Sequence, residues 1–183
     1  MARKKIIILV LTAVGVVGVA MLFFGFLPVI TVGGASVSLS ELLKIEGALS
    51  KFDRLSQRTP SSDSAINKKA IGNIIEQKFL DILIQNTDTG LTTQAQKLVE
   101  DTVHDSQNKG IAISQAADTL YGLSESDFKK YILLPQAKRD VLVAYFNNDQ
   151  SRLKQSWTAI YKNTAVKIYY PGYHWQNGEV KTK

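Results

Sequence analysis

Ile6 to Leu27 is a run of 22 residues with no charge and one polar side chain, Thr12, set directly behind Arg3, Lys4 and Lys5. As a helix it spans about 33 Å at ~1.5 Å per residue, close to the ~30 Å hydrocarbon core of a bilayer. A soluble core seldom requires so long an uncharged stretch. The three cations before the run, with none close after it, predict a transmembrane helix with the N-terminus cytoplasmic and the rest outside. Gly15-x-x-Gly18 is too short a spacing for a GxxxG contact, so no oligomer is read from it. A cleaved signal peptide is the rival reading. Its apolar region is usually about 7–15 residues and ends at an A-x-A-like site, for which Val32-Gly33-Gly34 is the nearest candidate. Both readings send the residues after about 30 across a membrane.

The exported part carries 19 of the 22 Lys and Arg against all 16 acids, a balance near +3. That charge is too mild and too scattered to argue for nucleic acid. The chain has no Cys, which excludes disulfides, zinc ribbons and thiol chemistry. No clear catalytic motif stands out. His104 with Asp101 and Asp105 suggests a metal site or a general base, but the three lie within five positions on a polar helix and read as a solvated face. No enzyme activity, cofactor or metal is expected.

About 150 residues follow the run, enough for one core. Pro28 to Val32 is β-branched and ends at Gly33-Gly34, a short strand and turn. Ser38-Leu39-Ser40-Glu41 has the form of a capping box and opens a helix to about Ser56. A second helix starts near Asp63 and carries a wide apolar stripe from Ile66 to Leu83, the mark of a central core helix. Asn86 to Gly90 ends it. Thr93-x-x-Gln96 is read as the next capping box, for a helix ending at Asn108-Lys109-Gly110. A short helix covers Ile113 to Leu120 and stops at Gly122. Ser124-x-x-Asp127 starts a long helix, and Pro135 inside it predicts a kink near Tyr131 to Leu134. Asp149 or Ser151 caps a last helix. Val166 to Tyr169 alternates as a strand. Its only strand neighbour in the sequence reading is Val29–Val32, so the two ends of the domain are expected to pair. The expectation is a mostly α fold: a transmembrane helix, then a bundle of about six helices closed by a two-stranded pairing of the N- and C-terminal segments. The divisions are 1–28, flank and anchor; 29–170, helical domain; and 171–183, an aromatic then polar tail with a disordered end.

This order of elements resembles the N-terminal domain of the SurA-like periplasmic chaperones, shared with PpiD-like and PrsA-like foldases. The matching residues are Thr31 to Glu41 at the first strand and helix, Ile74 to Leu80 with Gly90 to Thr93, and Gly122-Leu123-Ser124-Glu125-Ser126-Asp127-Phe128-Lys129. The resemblance covers about Val32 to Asn147. Such chaperones often add a parvulin isomerase domain of about 90 residues; only 36 residues follow Asn147, so isomerase activity is not carried over. Gly33 stands where the family usually has Asn. The resemblance implies a chaperone-like module that binds unfolded or newly exported polypeptide through an apolar groove. The alternative is an envelope scaffold that holds one fixed partner with the same helices. Candidate contact residues are the aromatics Phe128, Tyr131, Tyr145, Tyr169, Tyr170, Tyr173 and Trp175. For Phe128, Tyr131 and Tyr145 the competing reading is core packing. For Tyr169 to Trp175 it is a lid laced over the first helix, and a place in the lipid interface is a further reading.

Overall fold

The computed structural model describes residues 27–56, 59–147 and 149–183. The expected membrane span, apart from Leu27, lies outside them. Among the described residues no helix is long and apolar enough to cross a membrane. They form a mostly helical fold with two small antiparallel sheets.

β1 (Pro28–Val32) and β2 (Ala35–Ser38) form a hairpin whose two turn residues, Gly33 and Gly34, have φ of 57° and 90°. Two positive φ values make the turn whose twist suits a hairpin, and glycine adopts them without a Cβ clash. β3 (Val166–Ile168) pairs with the other edge of β1, with Ile30 opposite Ile168 and Val32 opposite Val166. The pairing of the two ends of the domain is thus as expected. The two-stranded closure is corrected to three strands in the order β2-β1-β3. Short β2 was missed because Ala35-Ser36 has little β character.

The tail is the second correction. β4 (Tyr173–Gln176) and β5 (Glu179–Thr182) form a hairpin around Asn177-Gly178, with φ of 53° and 81°. Asn-Gly is the strongest short hairpin signal, and it overrides the polar composition that suggested disorder. The hairpin lies against the second helix, not the first. Trp175 meets the Phe79 ring edge-on at 5.9 Å, and the Tyr173 hydroxyl donates to the Ser64 carbonyl at 3.3 Å.

Six helices fill the remainder. α1 (Leu39–Ser56) starts where Ser38 Oγ accepts from the Glu41 N–H at 3.2 Å. Buried Asp53 fastens the loop that follows, accepting from Ser61 N–H at 2.6 Å and its hydroxyl at 3.0 Å. α2 (Asp63–Thr87) is capped by Ser62 and buries nine side chains from Ile66 to Ile84, as its wide stripe predicts. α3 (Gly90–Asn108) begins three residues before the expected capping box. Asp88 Oδ1 already accepts from the Gly90 N–H at 2.8 Å, which leaves Thr93 inside the helix. α4 (Ile113–Tyr121) ends at Gly122.

α5 runs without a break from Glu125–Phe128 through a π-helical turn, Lys129–Leu133, into Leu134–Tyr145. The turn stands where the kink was expected. Pro135 has no N–H to give the Tyr131 carbonyl, and its ring crowds that carbonyl. The helix widens instead, so that the Leu134 N–H reaches the Lys129 carbonyl. The Gln77 amide donates to the Tyr131 carbonyl at 3.5 Å. α6 (Gln150–Asn163) is capped by Asp149.

The main core joins α1, α2, the three-stranded sheet and the hairpin around Ile30, Leu42, Ile71, Ile74 and Phe79. A smaller cluster of Ala95, Val99, Val103 and Ala137 holds α3 on α5. Arg139 pairs with Glu76 at 3.0 Å across α5 and α2, and Lys44 with Asp127 at 3.0 Å across α1 and α5.

Candidate functional site

α1 buries Leu42, Ile45, Ala48 and Asp53. At about 100° per residue, Leu43, Gly47, Lys51 and Leu55 make a row on another face. Leu43 and Leu55 are 50% and 60% exposed, a large apolar surface left in water. Across from the row stand Tyr121, Gly122, Leu123 and Asp127, and the walls enclose an open groove of about 640 Å³. From Leu43 to Leu55 the groove is about 18 Å long at ~1.5 Å per residue. That length fits about five residues of extended chain at ~3.3 Å each. A Cβ added at Gly47 meets no heavy atom within 4 Å. A helix-interior glycine costs about 1 kcal/mol against alanine, and here no packing among the described residues requires it.

Behind the groove, Phe52 stacks on Tyr121 at 5.1 Å with the rings 3° from parallel, and Tyr121 tilts against Phe128 at 5.4 Å. This ladder backs one wall of the groove. The cations are arranged unequally. Lys44 is held by Asp127, and that hydrogen bond draws the Asp127 carboxyl below its ordinary range. Lys51 donates to the Asp118 carbonyl, and Arg54 to the Ser50 carbonyl and hydroxyl. Among the described residues neither Lys51 nor Arg54 has a carboxylate partner.

A second open cleft, about 570 Å³, lies between α2, Tyr161 of α6 and the C-terminal hairpin. Tyr161 and Trp175 stack at 6.4 Å, and both rest on Phe79. Burial, then the nearby Glu76 charge, raises the Tyr161 phenol. Gly72 in the wall is as open as Gly47.

The seven expected aromatic contacts are not gathered in one place. Tyr131 and Tyr173 are buried: Tyr131, inside the π-turn, is part of the core, in line with its competing reading as core packing, and Tyr173 anchors the hairpin. Phe128 backs the α1 groove, and Trp175 lines the second cleft. Tyr145 is exposed at the end of α5 against Phe146. Tyr169 is exposed, and Tyr170 stacks on Tyr173 at 5.9 Å. Sequence reasoning missed Leu43, Gly47, Leu55 and Tyr161 as site residues. The available signal was the width of the α1 apolar pattern: Leu42 and Leu43 cannot both face one core.

Asp101, His104 and Asp105 sit exposed on α3, where the His104 ring is hydrogen-bonded to Asn108 at 3.1 Å. Among the described residues no three His, Cys, Asp or Glu are placed to hold a metal ion. Ser-x-x-Lys spacings occur at Ser106, Ser126 and Ser151. Ser106 Oγ donates to the Thr102 carbonyl, and Lys129, the partner expected for Ser126, is taken by Glu125. Comparison with family models, curated proteins and solved structures finds no match.

Proposed function

We propose that this chain is a membrane-anchored module outside the cytoplasm that binds polypeptide without catalysis. Its site is the α1 groove. Its ligand is an extended apolar segment carrying acidic residues. The observation that carries the reading is the bare row Leu43, Gly47, Lys51 and Leu55, which offers apolar surface, an open backbone position and a cation with no carboxylate partner among the described residues. The uncharged run 6–27 behind three cations supports the anchor, and the resemblance to SurA-type N-terminal domains supports the client class.

One observation favours the alternative, a scaffold holding one partner. Promiscuous surfaces tend to be rich in adaptable Met, whereas this groove is lined by Leu and stacked rings, and Met occurs only at positions 1 and 21. The test is binding of fluorescent peptides to the full chain in lipid nanodiscs. Affinity for many apolar-acidic sequences supports the chaperone-like reading. Affinity for a single sequence class supports the scaffold. Binding unaffected by Gly47→Leu removes the groove from both.

A further inference from the structure

β1 follows directly on the apolar run, since Leu27 ends that run and Pro28 opens the strand. No linker separates them. Leu27 is also fixed to the fold, because its carbonyl accepts the Leu39 N–H at 2.9 Å. β3 runs antiparallel to β1, so it returns toward the same end. The register brings it there: the Tyr169 N–H donates to the Val29 carbonyl at 2.8 Å, which sets Tyr169 beside Val29. Val29 is two residues past Leu27, about 7 Å at ~3.3 Å per residue. The polar interfacial layer of a bilayer is itself about 5–7 Å deep on each side. Tyr169 is 57% exposed at that height, while Tyr170 beside it is tied back on Tyr173. Pro171 and Gly172 then turn the chain into β4, and the Lys183 N–H closes on the Gly172 carbonyl at 2.9 Å.

We infer that Tyr169 is a lipid-interface contact that seats the domain against the bilayer surface, its phenol at headgroup depth. This rests on the reading of residues 6–27 as a membrane anchor. An exposed tyrosine in water has no need of that position, but a ring with an apolar body and a polar tip suits the headgroup boundary. Seated this way, the sheet stands on the membrane at its Leu27 end with the Gly33-Gly34 turn pointing away.

The chain has no Cys, so single-cysteine variants of the full protein carry one label each. Tyr169→Cys places an environment-sensitive fluorophore at the proposed contact. Ala35→Cys places it at the exposed far tip of the same sheet. Both are reconstituted in vesicles of zwitterionic lipid with one fifth anionic lipid. Expected is a several-fold lower quenching by aqueous iodide at 169 than at 35, with quenching by bromolipid at 169 alone. Equal iodide access at both positions, in protein that stays with the vesicles after an alkaline carbonate wash, overturns the inference and spares the anchor. Protein that washes off overturns the anchor and the inference together.

Discussion

Gly47→Ala tests the groove through stability before any ligand is known. Gly47 lies inside α1 with open space where its Cβ would go. The substitution therefore adds helix propensity and removes unfolded-state freedom without a steric cost. The expected gain is about 0.8–1 kcal/mol. For a domain of this size that raises Tm by about 2–4 °C. Gly47→Leu gains similarly, since leucine is nearly as good a helix former, but its side chain stands between Leu43 and Lys51 and fills the groove floor. Peptide affinity is then expected to fall about tenfold or more, equivalent to about 1.4 kcal/mol. Gly72→Ala, equally open in the second cleft, serves as the control: the same gain in Tm with groove binding unchanged. Calorimetry and fluorescence polarisation on one set of proteins read both effects. A fall in Tm for Gly47→Ala refutes the view that the row is unpacked. A stable Gly47→Leu that binds as before refutes the view that the row is the site.

Gly33→Ala puts a Cβ 2.8 Å from Ile82 Cδ1 at a φ of 57°, and is expected to lower stability by at least about 1–2 kcal/mol in urea titration. Gln77→Leu removes the amide from the Tyr131 carbonyl, for a loss of about 0.5–1 kcal/mol and faster hydrogen exchange in Lys129–Leu133. Burial raises the Glu46 carboxyl above its ordinary value, and its Oε1 has no hydrogen-bond partner among the described residues. Its charged form is therefore the disfavoured one in the fold. The penalty is full above the folded value and gone below the unfolded one, near 4.5. Glu46→Gln is expected to be the more stable protein at pH 7, with the difference shrinking as melts are taken down to pH 4.

The helix ends were legible where a side chain caps them, because Ser38, Ser62, Ser124 and Asp149 each satisfy backbone N–H groups within four residues. The β1–β3 pairing was legible by elimination, since an isolated strand leaves its backbone groups unpaired. Thr93 failed because Asp88 offers an earlier cap, and composition alone does not rank two nearby caps. The tail failed because its polarity was weighed above two residues, Asn177 and Gly178. Of the site, the aromatics were legible as residues but not as a group. Whether Tyr131 packs inward and Leu43 outward depends on which helices flank them, and that is decided by tertiary contacts far apart in sequence.

The pairing of Ile30 with Ile168 also sets a clock. The two residues are 138 positions apart (168 minus 30). At a synthesis rate of ~5–20 residues per second, β1 waits roughly 7–28 s after its own appearance before its second partner exists. Through that interval the strand that will become the centre of the sheet is an edge, and Val29, Ile30 and Val32 lack part of their cover. Unprotected edges of this kind recruit other chains. The short, immediate hairpin with β2 guards one side from the start, so any shielding of the nascent domain is required on the other side, until Val166 to Ile168 arrive.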